Sequence, residues 1–438
     1  MKKTKTTIAI VLGSSTLLLG LQVLGASGFQ GAQKHTTPSI KIKLWDQFTA
    51  PADAKVMQTI INNFEKLHPN ISITRTAMQD QSMQEVIKPA LMSGQGPDLF
   101  AYDTGPGYLG VLAKDGQLLN ITSYAKANGW YQRFPQWILH TTSINGQLYG
   151  LGNEVQALGV YYNKAIFSKY HLAVPKTYGQ FLHVAQVLKD HHMVALEVMD
   201  KDQWPGFHLE SAFYTAIAGR QAVQNVIDLK TKAGWNQPIF AQALNDLRQL
   251  VVKGYTNPSP LAVSYDNGNN AFIAGKAAMD LTGSWMVTEL YQKMGNKVGF
   301  FPLPPKNPSQ PDIAPGGLGG AMLISKHTKN PAAVESFLNY MLSNQTSSIW
   351  LNDNMIPPNK SAAKAHIKDA NPLFKQVVNV IDNPAGMSYS LDVLMPQQVN
   401  DVTQNDIQEV LAGTISGQQA VADKENALKQ AIASGAYY

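Results

Sequence analysis

Ile40-Lys41-Ile42-Lys43-Leu44 alternates apolar and charged residues with period two and predicts a strand. From Asp53 to His68 the residues Val56, Ile60, Ile61, Phe64 and Leu67 share one helical face. Pro69-Asn70 ends that helix, and Ile71 and Ile73 begin a second short strand. Met83, Val86, Ile87, Ala90 and Leu91 repeat the helical spacing, with Pro89 inside predicting a kink. Gly94-Gln95-Gly96-Pro97 turns into a third strand, Leu99-Phe100-Ala101-Tyr102. Strand, helix, strand, helix, strand over about 65 residues predicts a parallel sheet with helices on its faces. Ligands of such sheets sit beyond the carboxyl ends of the strands. Those ends are Trp45-Asp46-Gln47 and Tyr102-Asp103, which direct two aromatics and two carboxylates at one crevice.

Later segments read mostly as helix. Asn330-Pro331 starts one with an apolar stripe of Val334, Phe337, Leu338, Met341 and Leu342. Ile407, Val410 and Leu411 belong to a helix ended by Gly413, and Ala420, Val421, Leu428 and Ile432 mark the last. No internal repeat, low-complexity tract or long polar linker interrupts the chain. Its 438 residues suggest two or three domains joined by short crossings.

Composition narrows the classes of function. Apolar residues make up 44%, which argues against disorder, while charged residues are only 15%, so neutral polar groups must cover much of the surface. Three of the five net positive charges are Lys2, Lys3 and Lys5, and residues 1–27 contain no acid, so their loss leaves +2. That balance offers no electrostatic footprint for nucleic acid or an anionic membrane. The chain has no cysteine, which excludes disulfides, thiolate metal sites and cysteine nucleophiles. The sparse charge would also suit an acidic exterior, where few native ion pairs would be lost to protonation.

The three lysines, the apolar stretch Ile8 to Leu24 and the small residues Gly25-Ala26-Ser27 predict a signal peptide over 1–27, with a tether over 28–38. An uncleaved anchor helix is the alternative. Leu24-Gly25-Ala26-Ser27 resembles a bacterial lipoprotein cleavage box with Ser27 in place of the lipid-carrying cysteine, so no thioether anchor can form there.

Catalytic signatures are scarce. Gly316-Gly317-Leu318-Gly319-Gly320 lacks the Lys-Ser/Thr of a phosphate loop, and His191-His192 are adjacent in sequence, a poor arrangement for sharing one metal. No nucleophile elbow is present. The enzyme reading worth weighing is glycoside hydrolysis by a carboxylate pair, Asp103 and Glu154.

Phe64-Glu65-Lys66-Leu67-His68-Pro69-Asn70-Ile71, then Ser93-Gly94-Gln95-Gly96-Pro97-Asp98-Leu99-Phe100, resembles the extracellular solute-binding proteins of carbohydrate importers, the maltose-binding class. Tyr149 to Glu154 with Tyr161-Tyr162-Asn163-Lys164 is similar to that family's first hinge crossing. Pro175-Lys176-Thr177-Tyr178 resembles a helix start of the family, with Tyr in place of Trp. Phe272 to Met279 with Gly283-Ser284-Trp285 resembles the second crossing, and Ser325 to Pro331 with Phe337-Leu338 the third. The motifs follow the family order from about residue 40 to 360.

The resemblance implies an α/β, two-lobe periplasmic-binding-protein-like fold of type II. Each lobe would hold a mixed, mostly parallel sheet flanked by helices. The implied boundaries are 39–154 plus 282–324 for the N-terminal lobe and 155–281 plus 325–438 for the C-terminal lobe, with three crossings between. It further implies an exported subunit of an ABC importer that closes on a di- or oligosaccharide and delivers it to a membrane permease. Such a subunit acts as a monomer outside the cytoplasm, without cofactor, metal or catalysis.

A sugar needs flat aromatics for its C–H faces and fixed polar partners for its hydroxyls. The implied ligand set is Trp45, Asp46, Asp103, Glu154, Trp204, Trp285, Gly317 and Tyr389. Each also has a structural reading. Trp45 and Trp204 fit core or loop packing, Asp103 a turn cap, and Glu154 a hinge brace. Trp130, Trp137, Trp235 and Trp350 match no site motif and read as packing. Besides importer subunit and hydrolase, a surface adhesin that binds polysaccharide without closure stays open.

Overall fold

In a computed structural model the described residues are 40–358, 367 and 370–437; the predicted leader (1–27) and tether (28–38) lie outside them. The strands are β1 (Ile40–Asp46), β2 (Ile71–Ala77), β3 (Leu99–Asp103), β4 (Ser143–Ile144), β5 (Gln147–Leu148), β6 (Gly150–Gly152), β7 (Val155–Asn163), β8 (Val194–Glu197), β9 (Ala277–Gly283), β10 (Val298–Phe301), β11 (Pro315–Leu318), β12 (Gly320–Ile324) and β13 (Ser388–Tyr389). One sheet has the order β2-β1-β3-β12-β6; the other runs β13-β11-β7-β9-β8, with β10 also paired to β7.

The first lobe forms as the periodicity directs. In helix Pro51–Leu67 the buried face is Val56, Met57, Ile60, Ile61 and Phe64, while Leu67 is exposed. Phe64 meets Phe337 of helix Pro331–Met341 with ring centroids 5.0 Å apart, and both pack over Ile42 and Leu44 of β1. Helix Asp80–Met92 continues through Pro89, three residues from its end, and buries Met83, Ile87 and Leu91 at i, i+4 and i+8.

Helix Trp204–Ile217 lies at the centre of the second lobe. It is buried from Pro205 to Ile217 and so has no amphipathic signature. Around it pack helices Pro238–Val252, Gln397–Ala412 and Gly417–Ala433. Lys424 is buried there, 2.7 Å from Glu210 and 4.5 Å from the Trp235 ring centroid, so its charge is paired as burial requires.

Strand pairing revises three expectations. Antiparallel pairs match the parallel ones in the first sheet and outnumber them in the second, because strands entering after a crossing run opposite to their neighbours. The crossings also lie elsewhere than the motifs implied. The first is at Asn153-Glu154, between β6 and β7, as expected; the second is at Gly319, between β11 and β12, not near residue 282. The third follows helix Asn344–Asn352 and precedes helix Pro372–Ile381.

Residues 282–318 therefore build the second lobe, where β10 and β11 find their partners on β7. Residues 325–352 build the first, where Val334, Phe337, Met341 and Trp350 fill the core under β1 and β12. Of the tryptophans expected to pack, Trp130, Trp235 and Trp350 are buried, whereas Trp137 is 40% exposed.

Candidate functional site

The lobes also touch beyond the crossings, where Lys114 Nζ of the first donates to the Gly435 carbonyl of the second. Residues after β3 touch residues 393–397: a Cβ on Gly105 (φ +83) would lie 1.7 Å from the Val393 carbonyl oxygen, and one on Gly107 would lie 2.8 Å from that of Met395. Only glycine fits at Gly105, on both steric and conformational grounds. The cleft is thus closed, and residues lining it from opposite lobes are neighbours.

Chain exits from β1 and β3 and the first turn of helix Asp80–Met92 build the first-lobe wall. Gln84 Nε2 donates to Asp103 Oδ2 at 2.7 Å and to Asp80 Oδ2 at 3.2 Å, and Gln47 Nε2 donates to Asp80 Oδ1. Asp80 and Gln84 are four residues apart and so share one helical face. Asp80 touches water at the cleft mouth, yet loss of bulk water and then the charge of Asp392 push its pKa up to about 6, against the Gln47 amide. Burial, reinforced by Asp80 and Asp392, holds Asp103 well above the ordinary carboxylate range.

The second-lobe wall is aromatic. Gln203 precedes helix Trp204–Ile217 with φ 65° and ψ −43°, a conformation rarely adopted outside glycine. It is held by Gly206 N–H, which donates to the Gln203 carbonyl at 3.1 Å and to Asp200 Oδ1 at 2.8 Å, and by the Gln203 amide, which reaches Asn405 Oδ1 at 3.1 Å. The turn presents Trp204, half-buried, against Tyr265 (centroids 4.4 Å) and His208 (5.1 Å). Trp285 completes the group: its ring lies 5.2 Å from His208, rests over Gly283, and its Nε1 donates to the Tyr265 hydroxyl at 2.6 Å.

Asp392 joins the walls. It follows β13, accepts from Ser390 Oγ at 2.7 Å, and is an electrostatic neighbour of Asp80, Asp103 and His208. The same loop passes Tyr389, whose strand pairs with β11 at Gly316. Adjacent Gly317 presents a face where an added Cβ would meet nothing within 4 Å.

Asp103 is thus linked to Trp204 and Trp285 through Asp392 and His208, and Tyr389 and Gly317 lie on the paired strands β13 and β11 that lead to that loop. Asp46 does not join them. It is buried and bound twice by Arg75, Nε to Oδ2 at 2.6 Å and Nη2 to Oδ1 at 2.7 Å, and also accepts from Phe48 N–H at 3.1 Å. Both oxygens are spent, so Asp46 shapes the exit of β1 that carries Gln47. Trp45 packs on the Phe100 and Tyr102 cluster of the first lobe.

Glu154 stands in a different group of carboxyls, with Asp53 and Asp353, beside the first and third crossings. Burial raises its pKa to about 7, with Asp353 adding and the Gln156 amide, 3.0 Å away, opposing. Asp103 is grouped electrostatically with Asp80 and Asp392, and Glu154 with Asp53 and Asp353.

Sequence reasoning missed Gln47, Asp80, Gln84, His208, Tyr265 and Asp392. Gln47 was part of the flagged strand end but not of the implied ligand set, and His208 lies four residues after Trp204, so these two left a local trace. Asp392 left none, because its relevance depends on the lobes meeting.

A family model described as "Bacterial extracellular solute-binding protein" matches residues 46–347. An uncharacterized ABC transporter extracellular-binding protein of Pyrococcus horikoshii is 26% identical over 290 residues, covering 62% of this chain and 64% of that one. The maltotriose-binding protein of Pyrococcus abyssi is 23% identical over 314 residues, 71% of this chain and 64% of that one. Both matches span just under two thirds of the relative's length. Among solved structures, one titled "Chitin oligosaccharide binding protein" superposes with a TM-score of 0.81 at 23% identity, covering 91% of this chain and 100% of that chain.

Proposed function

Because the chain belongs to the bacterial extracellular solute-binding protein family, we propose that it captures a di- or oligosaccharide between its lobes and presents the closed form to the membrane permease of an ABC importer. The observation that carries this is the pairing of Trp204 and Trp285 on one wall with Asp80, Asp103 and their amides on the other. Indole faces suit the C–H faces of a pyranose, and carboxylates and amides suit its hydroxyls. Closure then follows from contacts that exist only when both walls touch the sugar. The protein works outside the cytoplasm as a monomer and leaves the sugar chemically unchanged.

The relative named for maltotriose supports a saccharide ligand. A melting screen with maltotriose, trehalose, raffinose, xylo-, arabino- and chito-oligosaccharides tests the reading, since a ligand specific for the folded state raises its stability. At least one saccharide is expected to raise the midpoint and compact the protein in X-ray scattering. Binding without compaction would favour the adhesin reading, and release of shorter sugars by the pure protein would favour a hydrolase.

A further inference from the structure

Closing the cleft brings a carboxyl group of one lobe onto two of the other. Asp80 and Asp103 belong to the first lobe and share the single amide nitrogen of Gln84. Asp392 belongs to the second and arrives through the rim contact, one residue before the Val393 carbonyl that abuts Gly105. The other donors on the three are neutral as well: Gln47 on Asp80 and Ser390 on Asp392. The titratable groups facing them are Tyr102 and Tyr108 from the first lobe and His208 from the second. Burial holds His208 uncharged, with its pKa lowered to about 4, and its Nδ1 is buried without a partner. The nearby guanidinium, Arg75, is committed to Asp46.

Three carboxylates that meet across the cleft, with no cation paired to them among the described residues, repel one another, and taking up a proton relieves that repulsion. We propose that the protein takes up at least one proton as it closes on its sugar, so that the pair Asp80 and Asp103, met by Asp392, presents a carboxylic O–H as well as carboxylate oxygens to the ligand hydroxyls. The inference rests on the sugar-capture reading and adds the protonation state in which the site works. The proton comes from solvent, and no covalent bond forms or breaks. In the open form Asp392 is withdrawn, so the pair left on the first lobe loses one of its repulsions and regains water. Closure and protonation are thereby linked: each favours the other.

The sign follows from the shift. Asp80 rises from 3.8 to about 6 in the closed form, so closure takes up protons between those values. Affinity should therefore increase as pH falls through about 6 and level off near 4, by about tenfold between pH 7.5 and pH 5 for one such group.

The test is calorimetric titration with the tightest of maltotriose, raffinose, trehalose and xylotriose from the melting screen. At pH 5 it is run in buffers of different ionisation enthalpy, and the dissociation constant is also measured at pH 7.5. Uptake of about one proton and an approximately tenfold lower Kd at pH 5 are expected. In Asp392→Asn, and separately in the exposed Asp80→Asn, that ratio should fall below about threefold while circular dichroism reports an intact fold. Sugar binding with no proton uptake overturns the inference and leaves sugar capture standing; no binding by any saccharide overturns both. Exclusive binding of an ammonium-bearing glucosamine trisaccharide, without proton uptake, also overturns it, because the ligand would then supply the cation.

Discussion

The walls of the cleft are made from opposite materials. On the second lobe Trp204, His208, Tyr265 and Trp285 are locked to one another by ring contacts and by the Trp285–Tyr265–Thr282 hydrogen bonds. On the first lobe Gln47, Asp80, Gln84 and Asp103 hold only one another and change their electrostatics when Asp392 arrives. An aromatic platform works equally in the open and closed forms, because its apolar faces need no partner across the cleft. The polar wall gains its final character on closure. A sugar would then settle on the aromatic lobe first and recruit the polar lobe second, which assigns affinity mainly to one wall and closure mainly to the other.

The largest effect should come from beneath the polar wall. Arg75→Ala strands the buried Asp46 carboxylate and should cost about 3–5 kcal/mol of stability, read by urea unfolding. A loss under about 1 kcal/mol would mean that the β1 exit does not depend on the ion pair. Next, Trp285→Ala removes one stacking face and should weaken sugar binding by about 2–4 kcal/mol, about 30- to 900-fold in Kd by calorimetry. The sugar-free variant should melt close to the parent, since the ring is half-buried at the cleft. A damaged fold with unchanged affinity would demote Trp285 to a packing residue.

Asp103→Asn tests the opposite wall and should cost less, about 1–2 kcal/mol or about five- to thirtyfold in Kd, as for a hydrogen bond that an amide replaces in part. If it cost more than Trp285→Ala, the division between walls would be reversed.

The effect that needs no substitution concerns pH and the sugar-free protein. Burial first, with neighbouring acids adding to some, raises Asp53 and Asp200 to about 8, Glu154, Glu197 and Asp406 to about 7, and Asp80 to about 6. Between about pH 4 and 8 the folded chain holds protons at these sites that the unfolded chain has released, so stability falls as pH rises through that window. His208 opposes this between 6.5 and about 4, where the unfolded chain binds the extra proton. The carboxyls outnumber it, so the melting midpoint should be higher at pH 5 than at pH 8 by about 2–4 °C or more in scanning calorimetry. A midpoint that falls on acidification would remove the fit to an acidic exterior.

Sequence by itself determined much of the architecture. The period-two run at Ile40–Leu44 and the faces of Val56–Phe64 and Val334–Met341 can be buried in only one way, so pattern set which sides face the core. Its strand ends pointed to Asp103, and the family resemblance to Trp204 and Trp285, although the crossing expected beside Trp285 lies at Gly319. Tertiary structure decided what locality cannot carry. β10 and β11 joined the second lobe because their hydrogen-bonding partner is β7, more than a hundred residues earlier. Asp46 became scaffold because Arg75 stands beside it on the neighbouring strand, two residues from the paired position. Asp392 gained its place in the site only when residues 393–397 met Gly105 and Gly107. The charge state of a carboxyl depends on how many others share its space and how little water remains, quantities that exist only once the lobes have closed.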